Sequence, residues 1–374
     1  MPSYKTAYNG YAVEFSPFEE DKLAVATAQH FGIVGNGRQY ILRKVEDAGI
    51  IERESQYDTQ DGLYDCCWNE ENENQLVSVS GDGSIKIWDL SSPDNPYRSL
   101  NEHSKEVYSV DWNLTGKDTY VTGSWDNSIK VWAVGEDTSI ETFDEHTYCV
   151  YSTIWNPTSN DTFASASGDH TLKIWDVNDV ASIQTIRGHS NYEILTCDWN
   201  KYNENILVSG SVDKTIKIWD TRNPDQEINT LRGHDYAVRR LKCSPHDESI
   251  IASCSYDMTL MIWDSEKEDA LIEKYEHHRE FVVGLDFSLE NPDEIATCSW
   301  DETVYVWNRG EEPVPTHEED DEEDEEEDEF KKNFRRTLRI NRRGDDDDDD
   351  EEDDEDDDDE DDEDDDDDDD DDSQ

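Results

Sequence analysis

Six tryptophans stand at positions 88, 132, 175, 219, 263 and 307, separated by 44, 43, 44, 44 and 44 residues. A period of this length means repeated supersecondary units that bury their apolar faces against one another. Each tryptophan closes an apolar run: "IKIWDL", "IKVWAV", "LKIWDV", "IKIWDT", "LMIWDS" and "VYVWNR". Six residues before each stands an aspartate: Asp82, Asp126, Asp169, Asp213, Asp257 and Asp301. Two before the aspartate is a serine (Ser80, Ser124, Ser167, Ser211, Ser255, Ser299), and four before it a serine or threonine (Ser78, Thr122, Ser165, Ser209, Ser253, Thr297). A histidine opens five of the units: His103, His146, His189, His234 and His278.

The stretches "VYSVDWN", "TYVTGSWD" and "SIKVWAV" are short, rich in β-branched and aromatic residues, and separated by turn residues. They read as strands of a small antiparallel sheet. One such sheet cannot bury both faces, so the units stack radially as blades. The Trp-Asp pairs, the turn aspartates and the Gly-His of "RGHS" and "RGHD" resemble the WD-repeat family over nearly all of residues 8–308. The resemblance implies an all-β, seven-bladed propeller with blades ending near Leu42, Trp88, Trp132, Trp175, Trp219, Trp263 and Trp307. It also implies a hydrogen-bonded tetrad in each regular blade. Its members are His103, Asp126 and Trp132; His146, Asp169 and Trp175; His189, Asp213 and Trp219; His234, Asp257 and Trp263; and His278, Asp301 and Trp307, each joined by one of the strand hydroxyls. A buried His–Asp–Ser set also looks like a hydrolase triad. Recurrence in five blades makes the set structural instead.

The seventh unit is degenerate. Aligning "GNGRQYILRK" on "GDGSIKIWDL" puts Asn36 over Asp82 and Leu42 over Trp88, an offset of 46 residues. Residues 8–50 then form the first blade, with Asn36 as turn acceptor and Leu42 as packing residue. Strand sequence runs out after Trp307, so the last blade takes its outer strand from "SYKTAYN" near the N-terminus, which removes an open edge.

The chain divides by charge. Residues 311–374 hold 42 of the 97 acidic and 7 of the 32 basic residues, and none of the Trp, Tyr or Cys. This composition predicts a propeller over 1–310 and a disordered acidic tail over 311–374. The tail carries a basic segment at 331–343 within "FKKNFRRTLRINRR". An acidic body with an acidic tail argues against nucleic acid and for a basic partner. There is no run of 18 apolar residues for membrane insertion and no apolar signal core in "MPSYKTAYNGYAVEF". The seven scattered cysteines form no Cys-x-x-Cys pair and suit a reducing compartment, and no motif supplies metal ligands, a cofactor loop or a catalytic nucleophile.

Several segments depart from the generic repeat: "YAVEFSPF", "KLAVATAQHFGIVGNGR", "DGLYDCCWNE", "EILTCDWNKYNENILVSGSVDKTIKIWDTRNP", "YAVRRLKCSPH" and "ASCSYDMT". They resemble the peroxin-7 family, receptors for the type-2 peroxisomal targeting signal. The resemblance implies a non-enzymatic receptor shuttling between cytosol and peroxisome. Its cargo is folded protein bearing an N-terminal nonapeptide: Arg or Lys, an apolar residue, five variable positions, His or Gln, and an apolar residue. It further implies a co-receptor (peroxin-5 long form or a functional equivalent) and the docking proteins peroxin-13 and peroxin-14.

Asp61, Glu106, Glu193 and Glu280 lie in loops entering inner strands, and Trp125, Tyr256 and Trp300 precede turn aspartates on the same face. These seven are the candidate surface for the basic, amphipathic signal: carboxylates for its Arg or Lys, aromatics exposed at loop tips for its apolar side. Arg239 and Arg240 have partners the sequence leaves open: the tail, a co-receptor or a carboxylate of another blade. In the tail, Phe330, Phe334 and Leu338 share one helical face among the basic residues. The tail segment then reads as a solubilising polyampholyte, a cargo mimic or a nuclear-localisation-like patch. Competing functions for the whole chain are a histone-binding propeller and a general scaffold.

Overall fold

The computed structural model describes residues 1–311 apart from 46–47, 93–95 and 180, so the expectations for the rest of the tail lie outside the described residues. The described residues form seven four-stranded antiparallel sheets. Blade one comprises the strands Asn9–Phe15, Lys22–Ala28, Gly37–Val45 and Ile50–Thr59. Blades two to six follow at 63–101, 107–143, 150–186, 194–232 and 238–275. The innermost strand of every blade packs on those of its neighbours, and Asn9–Phe15 meets Val282–Phe287, which closes the ring.

Blade seven has three strands of its own between 282 and 308. Its fourth is Ser3–Lys5, paired antiparallel with Thr303, Val304 and Tyr305. The first and last blades are thereby held by one chain segment. Removing residues 1–6 leaves the Thr303–Asn308 edge unpaired. The expected result is a lower Tm and concentration-dependent self-association, measured by sedimentation velocity. A monomer of unchanged Tm contradicts the closure role.

The described residues form no single core. Seven apolar clusters form, each at the junction of two consecutive blades. Strand side chains alternate, so each blade feeds one face to each neighbour. The repeat tryptophans are the largest contributors: Trp88, Trp132, Trp175, Trp219, Trp263 and Trp307 are all at most 1% exposed. Leu42 occupies the same place in blade one, because Leu23 pairs with Leu42 as Leu76 pairs with Trp88.

In blades three to six the tetrads are complete. In blade five the Trp219 indole donates to Ser209 Oγ at 2.8 Å, His189 Nε2 meets the same Oγ at 2.8 Å, and His189 Nδ1 meets Asp213 at 2.8 Å. An indole only donates and a carboxylate only accepts, so the donors run Trp to Ser to His to Asp. The strand hydroxyl used is the one ten residues before each tryptophan: Thr122, Ser165, Ser209 and Ser253. The other serine has a different task. Ser211 Oγ donates to the Glu193 carbonyl at 2.7 Å and accepts the Asp213 N–H. Gly188 precedes His189 because a Cβ there would lie 1.8 Å from the Trp219 ring.

Three blades depart from the expected pattern. In blade seven Thr297 meets both His278 (2.9 Å) and His277 (3.5 Å), while the Trp307 indole Nε1 makes no hydrogen bond to Thr297. Trp307 is therefore not a tetrad member. The extra His277 packs edge-on to its ring at 4.7 Å and takes the threonine instead. In blade two, which lacks the histidine, Trp88 donates to Ser78 and Ser78 donates to Gln39 Oε1 of blade one at 2.6 Å. In blade one Asn36 is not the turn acceptor. It is exposed, at the end of a hairpin seven residues longer than the one between Leu76 and Trp88, and its N–H bonds Gln29 Oε1.

Candidate functional site

The loops into the inner strands and the turns bearing the tetrad aspartates share one face. The inner strand of every blade carries a register shift just below it. A bulge adds one residue and re-aims its side chain. The bulged residues are Tyr11, Tyr64, Tyr108, Tyr151, Leu195, Arg239 and Val283, a seven-membered ring at the mouth of the central channel. Their rings touch: Tyr11–Tyr64 at 5.1 Å, Tyr64–Tyr108 at 5.0 Å and Tyr108–Tyr151 at 5.9 Å. Arg239 reaches across from blade six and places its guanidinium 4.8 Å from the centre of the Tyr108 ring in blade three.

The candidate residues surround this floor. Trp125 stacks on Tyr108 at 5.3 Å, and its backbone N–H bonds the Glu106 carbonyl. Glu193 accepts the Tyr151 hydroxyl at 3.0 Å. Burial holds the Asp61 carboxyl above its usual range, and the nearby charges of Asp82 and Glu106 add to this. Burial likewise raises Tyr64, with contributions from Tyr108, Asp61 and Glu106. Asp61, Glu106 and Glu193 are thus gathered along the Tyr64–Tyr108–Tyr151 arc. Glu280 lies apart, beside Phe281, where its carbonyl accepts from Ser299.

Tyr256 and Trp300 form the opposite arc. Tyr256 lies 4.8 Å from Phe281, and Trp300 lies 5.2 Å from Phe281, 5.8 Å from Tyr11 and 5.4 Å from Phe31. Trp300 is only 6% exposed, so it is not the exposed loop-tip aromatic expected from sequence. The long hairpin of blade one covers it. That hairpin holds His30 and Phe31 in the left-handed region, with φ of 48° and 56°. It is tied down by Tyr11 Oη to the Phe31 carbonyl (2.6 Å), Tyr64 Oη to the Gly32 carbonyl (2.5 Å) and the Phe31 N–H to Asn9. Its tip exposes Ile33 and Val34.

Sequence reasoning missed the tyrosine ring, Arg239 as part of the floor, and this hairpin. One signal was available: Tyr64, Tyr108 and Tyr151 recur at nearly the repeat spacing as the second residue of each inner strand.

Below the floor the channel wall is charged. Five carboxylates accept a backbone N–H from the inner strand of the next blade: Glu14 from Trp68, Asp65 from Val110, Asp111 from Trp155, Asp198 from Cys243 and Asp286 from Phe15. Arg240 pairs across the ring with Asp65 at 2.8 Å, and Lys242 lies 3.6 Å from Asp286. Arg240 therefore has its carboxylate inside the propeller. Burial pushes Asp111 up to about 7 against the lowering effect of the Trp155 N–H. A carboxyl raised in the folded state binds its proton more tightly there, so its contribution to stability falls as pH rises from about 4 to about 7. Asp111→Asn keeps the acceptor and removes the charge. It is expected to raise Tm at pH 8 and leave it nearly unchanged at pH 4.5; an equal shift at both values contradicts the assignment.

Comparison with known proteins adds four findings. A family model described as the IFT122 first beta-propeller matches residues 62–312. The peroxisomal targeting signal 2 receptor of Dictyostelium discoideum is 59% identical over 114 residues, 30% of this chain and 35% of that protein. Peroxisome biogenesis protein 7 of Arabidopsis thaliana is 51% identical over 113 residues, and the human peroxisomal targeting signal 2 receptor 48% over 103. These two alignments cover 30% and 28% of this chain, and 36% and 31% of the relatives.

Proposed function

The chain belongs to the β-propeller family described as the IFT122 first beta-propeller, and from that premise we propose that it is an import receptor for the type-2 peroxisomal targeting signal. It captures folded cargo through the amphipathic, basic nonapeptide near the cargo's N-terminus and delivers it to the peroxisome. The observation that carries this reading is the 59% identity to a relative of that name over 114 residues. The repeat signature prescribes only a handful of positions per blade and does not account for identity at that level.

The proposed docking surface is the face holding Asp61, Glu106, Glu193 and Trp125, with Tyr256, Glu280 and Trp300 on its far side. The carboxylates suit the signal's Arg or Lys, and the tyrosine floor suits its apolar stripe. This is helix-in-groove recognition, with aromatic anchors giving most of the energy and charges giving register and on-rate. The peptide's remaining face is left for a co-receptor, the peroxin-5 long form or a functional equivalent, and delivery runs through peroxin-13 and peroxin-14. The receptor cycles between cytosol and peroxisome, and nothing in the reading calls for a reaction.

A pull-down separates this reading from histone binding. A reporter bearing the nonapeptide is offered beside core histones, and retention of the reporter is expected. Retention of histones alone overturns the receptor reading. In cells lacking the protein, a signal-bearing reporter is expected to stay cytosolic; normal peroxisomal import there also overturns it.

A further inference from the structure

One corner of the propeller runs against the charge of the molecule. Acidic residues outnumber basic ones more than two to one in residues 1–310, so a cation there seldom lacks a carboxylate. Lys130, Lys173 and Lys217, in equivalent strands, meet Glu102, Glu145 and Glu227 at 3.2, 3.0 and 2.9 Å. Arg187, Lys214 and Arg232 are exposed, and among the described residues none of the three has an ion pair. They stand around one end of blade five. Lys214 sits in the turn before Thr215, and Thr215 pairs in register with Arg232. Arg187 precedes Gly188, where a Cβ would lie 1.8 Å from the Trp219 ring of blade five. The entry loop and the turn are tied together by His189 to Asp213 (2.8 Å) and by the Val212 N–H to the Glu193 carbonyl (3.0 Å).

Two half-exposed tyrosines flank the cations. Tyr192, in the entry loop, is 48% exposed, and Tyr236, in the loop into blade six, is 40% exposed. Lys214 Nζ lies 5.9 Å from the centre of the Tyr236 ring. The carboxylates of the entry loop and turn are engaged elsewhere, Glu193 with the Tyr151 hydroxyl and Asp213 with His189 and Thr215. Arg and Tyr are the residue types enriched at protein interfaces. Charge complementarity then calls for a partner that brings its own carboxylates. A nucleic acid has the right sign, but it is a long polyanion that the rest of this acidic surface repels. We propose that this corner of blade five is a second docking surface, for an acidic segment of a protein partner. The carboxylates of that segment pair with Arg187, Lys214 and Arg232, and its apolar side chains lie against Tyr192 and Tyr236. Arg232 ends the outer strand of its blade, so the surface lies outboard of the channel mouth and leaves the mouth open for cargo. The inference goes beyond the receptor reading and does not rest on it.

The test uses the full chain and three fluorescein-labelled probes. One is a short acidic peptide of Glu, Asp and Leu; the second carries Gln and Asn in place of Glu and Asp; the third is a single-stranded DNA oligonucleotide of equal charge. Affinity is read by fluorescence anisotropy at low salt. The acidic peptide is expected to bind and its uncharged counterpart to fail. Arg187→Gln, Lys214→Gln and Arg232→Gln together should weaken the acidic peptide about 3- to 150-fold, the range for three exposed ion pairs. Tm should not fall, because the three side chains have no ion pair to lose. An unlabelled basic targeting nonapeptide should bind the variant no more weakly than the unmodified chain and should not displace the acidic peptide. No binding of the acidic peptide, equal affinity for variant and unmodified chain, or displacement by the nonapeptide overturns the inference. Tighter binding of the oligonucleotide than of the acidic peptide, lost in the variant, overturns it in favour of nucleic acid. If the nonapeptide fails to bind while the acidic peptide behaves as expected, the receptor reading falls and this inference stands.

Discussion

Neutralising Asp61, Glu106 and Glu193 together, as Asp61→Asn, Glu106→Gln and Glu193→Gln, is expected to weaken binding of a basic targeting peptide by about 3- to 150-fold at low salt. Each partly exposed charge is worth roughly 0.2–1 kcal/mol, and three acting on one cation sum to that range. The ratio between wild type and variant should shrink as ionic strength rises, because the contribution is screened. Stability should move the other way. Asp61 is held above its usual range by burial and by the charges of Asp82 and Glu106, so removing charge from this arc relieves repulsion. The Tyr151 hydroxyl keeps an acceptor in the side-chain amide that Glu193→Gln introduces, so the floor should stay in place. Weaker binding with equal or higher Tm therefore marks a recognition role. Unchanged affinity at low salt reduces these carboxylates to surface charge.

The second large effect is expected from Ser209→Ala. One hydroxyl serves both the Trp219 indole and His189 Nε2, so its loss strands two buried groups at once. Each stranded group costs about 1–3 kcal/mol. The sum corresponds to a fall in Tm on the order of 5–10 °C. Thr297→Val in blade seven is the matched control. There the hydroxyl holds one short bond, to His278 at 2.9 Å, a long contact of 3.5 Å to His277 and no bond to the Trp307 indole, so the loss should be smaller. Equal effects at the two sites would show that the tryptophan bond contributes nothing.

The tetrad aspartates also set an acid limit. Burial raises Asp257, but the bonds from His234 and Thr259 outweigh it and hold the carboxyl down to about 2, against an ordinary 3.8. Asp213 is lowered on the same balance, with His189 and Thr215 as the donors. A depressed carboxyl stabilises fully above its unfolded value, and that stability is lost as pH falls from about 4 towards about 2. The channel carboxylates Asp111, Glu14 and Asp286 are raised by burial and act in the opposite sense. Stability should therefore decline on both sides of an intermediate pH.

Period, blade number and most tetrads were legible in the sequence because each depends on residues within one repeat. A turn aspartate, a strand hydroxyl and a tryptophan at constant offsets close a hydrogen-bonded hairpin in blades two to six, and a hairpin with two apolar faces must find neighbours. Leu42 could be placed for the same reason, since its strand register follows the pattern even where the chemistry has lapsed. The departures needed the ring. Gln39 replaces a missing histidine from the adjacent blade, His277 takes the hydroxyl expected for Trp307, and the blade-one hairpin folds over Trp300. Arg239 lies on Tyr108, a residue three blades earlier in the chain. None of these contacts has a spacing that a sequence repeats. They arise because closing seven twisted sheets into a circle brings their bulged inner strands together at one mouth. Sequence alone determined that this chain is a seven-bladed propeller and which residues build each blade. Only the closed tertiary structure decided which side chains meet at its centre.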